Sequence, residues 1–150
     1  MNLSFSPCAL AQLNQFGNVL NYTPPRKIAA HPGTTVESSL PLQLRPGYHV
    51  NSNTPPDQYL IPLRLTWNPG VLQPTDVTFP SAENRKYAFS EKPLSVYGGE
   101  FALVTRFKVP ADAPAGPFQL TGKLRYQACN DQMCLPPKTL DVTVNGEITK

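Results

Sequence analysis

Two cysteines with four residues between them lie in the segment YQACNDQMCLPP, residues 126–137. Cys129 and Cys134 flank a short polar stretch, and two prolines follow. Such a pair can form a disulfide that staples a hairpin, supply two ligands to a metal ion, or exchange disulfides with another protein. The choice among these uses decides whether the chain is a redox protein or a plain β-domain.

Metal binding and hydrolysis find little support elsewhere in the sequence. A tetrahedral zinc site takes four ligands, usually as two close pairs. Beyond the cysteine pair the chain has only Cys8, His31 and His49, and none of these is at ligand spacing from another. A hydrolytic cysteine needs a histidine base and an oxyanion donor, and His49 is the only candidate base in the folded part. We therefore expect no metal and no hydrolytic site.

The staple and the exchanging dithiol both stay open on the residues alone. A six-residue disulfide loop stabilises a fold by about 2 kcal/mol in the chain-entropy model, which is a modest gain. A chain of 150 residues is long enough to form a core without it. Exchange requires an attacking thiolate, a resolving thiol and access for a partner sulfur, and a short polar loop supplies these conditions.

Length and composition indicate one globular domain. The net charge of +3 is scattered, so the sequence predicts no binding to nucleic acid. No apolar run approaches the roughly 20 residues of a membrane span. The A-x-A pattern at residues 9–11 resembles a signal-peptidase site, so we interpret residues 1–11 as the remnant of an export signal or tag. Residues 12–34 are expected to form an extended lead-in, and residues 35–150 the folded domain.

Hydrophobic periodicity predicts an all-β fold. Residues alternate between apolar and polar from Val36 to Arg45, from Ile61 to Trp67, and again in three later segments, 101–109, 118–126 and 140–145. Proline- and glycine-containing turns separate these runs. About six or seven short strands in this arrangement predict an immunoglobulin-like antiparallel β-sandwich. The alternation continued past Tyr126 predicts that Cys129 lies on the solvent-facing side.

Three segments carry a resemblance to a known family. LRYQACNDQMCLPPKTLDVTV resembles the end of the N-terminal periplasmic domain of DsbD, the thiol:disulfide interchange reductase. RPGYHVNSNTPPDQYLIPLRL and LSVYGGEFALVTRFKV resemble an early strand region and a middle strand pair of that domain. The resemblance covers roughly residues 35–146, and it implies an immunoglobulin-like fold in an exported, periplasmic bacterial protein.

The resemblance also implies a function. Cys129 and Cys134 would be the redox pair of a protein-disulfide reductase component, with no cofactor besides the cysteines. Thioredoxin-like domains would donate electrons and accept them, the acceptors being disulfide isomerases and thioredoxins of cytochrome c maturation. In the family the second cysteine forms the mixed disulfide, which assigns that role to Cys134. A membrane reductase, fused or separate, would supply the electrons.

A cap loop covers the disulfide in the family, and RKYAFSEKP, residues 85–93, is the matching segment. Phe89 is then the expected cap and Tyr87 its neighbour, while Tyr48 and His49 match positions near the cysteines. The cap segment has basic residues where the best-known member has acidic ones, and the cysteine loop is one residue shorter. The alternative function is a non-enzymatic immunoglobulin-like binding module with a structural disulfide.

Overall fold

The computed structural model describes residues 18–150, which form twelve β-strands and no helix. The predicted signal remnant at 1–11, with Cys8, and residues 12–17 of the lead-in lie outside the described residues. The strands are β1 (Leu20–Tyr22), β2 (Ile28–Ala30), β3 (Thr35–Leu44), β4 (His49–Asn51), β5 (Arg64–Trp67), β6 (Gln73–Thr78), β7 (Glu83–Arg85), β8 (Leu94–Gly98), β9 (Glu100–Lys108), β10 (Gly116–Tyr126), β11 (Ala128–Cys129) and β12 (Lys138–Ile148).

Three four-stranded sheets make up the fold. Their strand orders are β1-β3-β9-β6, β2-β12-β10-β5 and β11-β4-β8-β7. All strand pairs are antiparallel except β2 and β12, which run parallel. The predicted immunoglobulin-like antiparallel β-sandwich is confirmed. No helix in the described part of the chain is long and apolar enough to cross a membrane.

The main core lies between the first two sheets, as the alternation of β3 predicts. Leu40, Leu42 and Leu44 are buried, and they join Leu124 and Val142 of the second sheet in one apolar cluster. A hydrogen bond also connects the sheets, because the indole Nε1 of Trp67 donates to Thr105 Oγ1 at 3.0 Å. The period-two pattern of the sequence therefore places its apolar residues correctly in these long strands.

Short strands depart from the sequence prediction. The strand expected from Ile61 to Trp67 begins only at Arg64, since Pro62 has no N–H to donate to a ladder. Strand β7 lies outside the alternating segments of the sequence, and its three residues are all exposed. Two more short strands, β1 and β2, lie in the predicted lead-in and pair with β3 and β12.

The chain changes sheets between β10 and β11, and this change determines where the cysteines lie. Strand β10 ends at Tyr126 in the second sheet, Gln127 forms the junction, and β11 pairs with β4 in the third sheet. Because the alternation does not continue across the junction, Ala128 and Cys129 are both buried. The predicted solvent-facing position of Cys129 is wrong: the residue is 0% exposed.

Candidate functional site

Cys129 and Cys134 form a disulfide across a tight hairpin. The two residues are directly opposed as an antiparallel bridge, and their Cα atoms are 3.9 Å apart. Backbone hydrogen bonds lie on both sides of the pair: Leu135 N donates to Ala128 O at 2.8 Å, and Asn130 N donates to Met133 O at 2.9 Å. The hairpin therefore has its own backbone ladder in addition to the disulfide.

The side chain of Asn130 fixes the tip of the hairpin. Its Oδ1 accepts hydrogen bonds from the backbone N–H groups of Gln132 and Met133, at 2.9 and 2.8 Å. An asparagine that accepts from residues two and three positions ahead stabilises a tight turn without using the backbone carbonyl. The Met133 side chain is exposed, next to the half-buried Cys134.

Four residues form a row across the third sheet, in the order Cys134, Cys129, His49, Gly98. The register pairs Cys134 with Cys129, Cys129 with His49, and His49 with Gly98. Directly paired residues of an antiparallel sheet point to the same face, so the disulfide and the imidazole are neighbours. We call this set the cysteine row. At its far end Gly98 has no side chain, which leaves the side of His49 away from the cysteines open.

The expected cap loop, residues 85–93, places an aromatic ring on one member of the cysteine row. The ring of Tyr87 stacks on His49, with centroids 4.2 Å apart and planes 14° apart. Phe89 stacks in turn on Tyr87 at 5.5 Å. Tyr87 is only 8% exposed whereas Phe89 is 40% exposed. Tyr87 is thus the inner ring of the cap, and Phe89, the expected cap residue, is the outer one.

Lys86 fastens the turn that carries the two rings. Its ammonium donates to the carbonyl oxygen of Tyr87 at 3.0 Å and also to that of Ser90. Ser90 N donates to the Tyr87 carbonyl at 3.1 Å, which closes the turn. The loop is therefore held by polar contacts to its own backbone, with Tyr87 as its main apolar anchor.

Tyr87 packs in a small apolar cluster separate from the main core. Its buried partners are Leu94 and Val96 of β8, and Leu60 packs against them. On the opposite face of the same sheet, Val50, Tyr97 and Ala128 belong to the main core. The cysteine row therefore shares the outer face of the third sheet with the small cluster.

Buried polar atoms without a hydrogen-bond partner gather at this face. Among the side chains of residues 18–150, three such atoms occur: His49 Nε2, Asn51 Oδ1 and the Tyr87 hydroxyl. His49 and Asn51 are two apart on β4 and so point to the same side, and Tyr87 stacks on His49. Because buried polar groups are nearly always paired, these three atoms set this face apart from the rest of residues 18–150 and make it the candidate site.

Burial changes the proton affinity of both rings. The pKa of His49 is lowered, chiefly because burial disfavours the imidazolium; the Asp131 carboxylate opposes this and the Arg85 guanidinium adds to it. Burial raises the pKa of the Tyr87 hydroxyl, and the positive charge of the nearby Arg85 partly offsets this rise. The hydroxyl and the guanidinium do not form a hydrogen bond in the structure. Both rings are accordingly neutral at neutral pH.

A groove of ≈ 590 Å³ runs beside the row. Its lining includes His49, Tyr87 and the backbone of Gly98. Charged side chains of both signs edge it: Arg45, Glu83, Arg85 and Asp131. Arg85 is paired with Glu83 at 2.6 Å, so the two charges largely neutralise each other locally.

The structure brings together most of the residues singled out in the sequence. Cys129, Cys134, His49 and Tyr87 meet on one face, with Phe89 one ring further out. Tyr48 also lines the groove, but it packs against the main core, since it precedes His49 and points the other way.

Two residues of the site were not anticipated. Asp131 affects His49 from the hairpin tip. The side chain of Gln127 makes three long hydrogen bonds of 3.4 Å. Its Oε1 accepts from Asn51 Nδ2 of β4 and from the backbone N–H of Ile61, and its Nε2 donates to the carbonyl oxygen of Leu135 beside the hairpin. The sequence feature that could have drawn attention to Gln127 is a polar residue between two residues that are both buried, Tyr126 and Ala128.

Comparison with protein families finds a match that covers residues 20–146. Its description is thiol:disulfide interchange protein DsbD, N-terminal. The chain belongs to this family. The match spans all of the strands except the last residues of β12, and it includes the whole cysteine row of this DsbD N-terminal domain. A comparison with curated protein sequences finds no match.

Solved structures support the fold of the DsbD-type domain. It is similar to the N-terminal periplasmic domain of ScsB from Proteus mirabilis, with a TM-score of 0.52 and 18% sequence identity over 82% of this chain and 44% of that one. The chain thus spans less than half the length of that ScsB structure. A weaker likeness, with a TM-score of 0.41 and 13% identity, is to a PapD-like domain of human CEP192, over 88% of this chain and 86% of that one.

Proposed function

We propose that the chain is a periplasmic thiol:disulfide exchange domain that passes reducing equivalents between thioredoxin-like proteins through Cys129 and Cys134. The observation that carries this proposal is the unequal exposure of the two cysteine residues. Cys129 is fully buried, whereas Cys134 is partly exposed at the end of the hairpin. A thiolate from outside can approach only Cys134, and Cys129 then serves as the internal resolving thiol.

The exchange proceeds through a mixed disulfide. A thiolate of the electron donor attacks Cys134 Sγ, the bond to Cys129 breaks, and Cys129 leaves as the reduced sulfur. The donor's second thiolate then displaces Cys134, so the domain is left as a dithiol and the donor as a disulfide. Transfer to an acceptor runs the same steps in reverse, with Cys134 attacking the acceptor disulfide and Cys129 closing the ring.

The cap loop would separate these encounters. Tyr87 stacks on His49, the neighbour of Cys129 in the sheet, and Phe89 stacks on Tyr87 further out, which supports a cap at this end of the row. Each partner must displace the rings to reach Cys134 in line with the disulfide. The closed cap would slow the reaction of the disulfide with small oxidants and thiols. A protein that binds beside the loop would open it, so the loop would favour exchange with docked partners.

Partner class and compartment follow from the family and its neighbour. A DsbD N-terminal domain is expected to meet thioredoxin-like domains, which present a reactive thiolate beside a short surface groove. The periplasmic location given for the similar ScsB domain supports the same compartment for this chain. A disulfide that persists in such an oxidising compartment is consistent with both.

Trapping with single-cysteine variants tests the proposal. The Cys129→Ala variant retains the contacting sulfur, and Cys134→Ala retains only the buried one. Each is mixed with a thioredoxin-like protein that carries one active-site cysteine activated as a mixed disulfide with a small aromatic thiol. We expect a covalent complex with Cys129→Ala and little with Cys134→Ala, seen by non-reducing electrophoresis and mass spectrometry. Complexes formed equally by both variants would refute the division of roles.

A further inference from the structure

His49 is the neighbour of the sulfur that must react inside the protein. Cys129 lies between Cys134 and His49 in the cysteine row. Residues paired in this way have Cβ atoms about 4.5–5.5 Å apart, which brings their side-chain ends within reach of each other. Within residues 18–150, no other histidine borders either cysteine, because His31 lies near the end of β12 and its Nδ1 contacts the carbonyl oxygen of Thr149.

The imidazole has an unused nitrogen in the disulfide form. His49 Nε2 is buried and has no hydrogen-bond partner among the described residues. A disulfide sulfur carries no proton to donate, whereas a Cys129 thiol would be a donor. The group that could pair with this nitrogen is therefore created when the disulfide is reduced.

Cys129 needs help to lose its proton. The residue is 0% exposed, and burial raises the pKa of a thiol because the thiolate loses its hydration. Only the thiolate attacks a disulfide, so an unassisted buried thiol would close the ring slowly at neutral pH. A neighbouring base would remove this obstacle without placing a lasting charge in the interior.

We propose that His49 accepts the proton of the Cys129 thiol as that sulfur closes the disulfide, and returns it when the disulfide opens. In ring closure the S–H proton moves to Nε2, and the sulfur's electron pair forms the bond to Cys134 Sγ. The bond between Cys134 and the oxidising partner breaks, and the partner leaves as a thiolate. The two cysteines are oxidised, the partner disulfide is reduced, and the imidazolium then gives its proton to water. The inference rests on the proposed exchange function.

The environment of His49 favours the neutral imidazole, which is the form that can accept a proton. The titratable and charged groups that face it come from each neighbouring element: Cys129 of β11, Asp131 of the hairpin, Glu83 and Arg85 of β7, Tyr87 of the cap loop and Arg45 before β4. The adjoining β8 contributes only Gly98. Burial lowers the pKa of His49, Asp131 opposes the shift and Arg85 adds to it, so the ring is neutral and can accept a proton at neutral pH.

The oxidation of the reduced domain by dithiodipyridine tests the proposal. This small disulfide releases one thiopyridone when Cys134 attacks it and a second when Cys129 closes the ring, so the two steps appear as separate absorbance phases. In His49→Gln the second phase is expected to slow by about 10²-fold at neutral pH, the lower range for loss of a general base. The first phase should stay level or speed up, because His49→Gln removes the ring on which Tyr87 stacks. A slower second phase beside a first phase that is not slowed separates the loss of a base from a general effect on the site.

The pH profile distinguishes a proton acceptor from a packing residue. The second phase of the natural chain is expected to stay level from about pH 7 to 8 and to fall in acid as the imidazole protonates. In His49→Gln it should rise about tenfold per pH unit over the same range, as the Cys129 thiolate fraction does. The matched control is His31→Gln, which changes the only other histidine and should behave like the natural chain.

Two results would overturn the proposal. One is a second phase in the natural chain that rises tenfold per pH unit through neutrality, a result that needs no variant and holds even if His49→Gln folds poorly. The other is a folded His49→Gln protein with an unchanged second phase. The reagent requires no partner protein, so a lack of exchange with thioredoxin-like proteins would refute the proposed function without deciding this test.

Discussion

Removal of the inner cap ring should expose the disulfide far more than removal of the outer ring. In Tyr87→Ala the domain loses a ring that is 8% exposed, stacks on His49 and packs against Leu94 and Val96. Burial of such a side chain contributes about 1.5–3 kcal/mol, and an aromatic pair adds about 0.5–1.5 kcal/mol. Since the loop keeps some of its contacts when it opens, we take about 2–3 kcal/mol as the part that holds the cap closed.

That free energy sets the expected change in rate. With about 1.4 kcal/mol for each tenfold step, Tyr87→Ala should be reduced by dithiothreitol roughly 30- to 100-fold faster than the natural chain. Phe89 is 40% exposed and makes one stack, so Phe89→Ala should gain only about fivefold. Tyr59→Ala serves as the control, because that ring is 81% exposed, and it should change nothing.

The assay follows free thiols by alkylation and mass shift during reduction under excess dithiothreitol. Circular dichroism of each variant checks that the sandwich is intact. Reduction of Phe89→Ala as fast as Tyr87→Ala would show that the outer ring controls access. Equal rates for Tyr87→Ala and the natural chain would refute the reasoning that the cap limits approach to Cys134.

Three further predictions concern stability, and each is read from urea unfolding. The double variant with Cys129→Ala and Cys134→Ala should stay folded, and its free energy of unfolding should fall by no more than about 2–3 kcal/mol, because the hairpin keeps its backbone hydrogen bonds. A double variant that is unfolded in buffer would favour a purely structural disulfide. Gly122→Ala should cost about 1–3 kcal/mol, since its new Cβ would lie 2.8 Å from the Trp67 ring, and an unchanged midpoint would contradict this packing. The natural chain should lose stability as pH falls below 6.5, because the unfolded state protonates His49 at a higher pH than the folded state does. His49→Gln should lack this pH-dependent loss of stability. Equal pH dependence in both proteins would contradict the lowered pKa of His49.

The long strands follow directly from the sequence pattern. Leu40, Leu42 and Leu44 alternate with polar residues, and the structure buries all three on one face of β3. The short strands have no such alternating pattern in the sequence. Strand β7 has three exposed residues and no apolar period, so only its pairing with β8 reveals it.

The sequence named candidate site residues but not how they are arranged. Cys129, Cys134, His49 and Tyr87 lie on one face, whereas Tyr48 points to the main core. The burial of Cys129 could not be read from the alternation. A period-two pattern describes one strand in one sheet, and the chain changes sheets at Gln127. The pairing of Cys129 with His49 likewise depends on a register between segments about 80 residues apart, which short-range patterns do not encode.

The reduction potential of the Cys129–Cys134 disulfide tests the central claim most directly. The domain is equilibrated in dithiothreitol and glutathione buffers of graded potential, and the reduced fraction is counted by alkylation and mass spectrometry. If the disulfide exchanges with partners, its potential should be more oxidising than about −300 mV. A potential below about −300 mV would contradict the account and identify the bridge as a structural staple of a binding module.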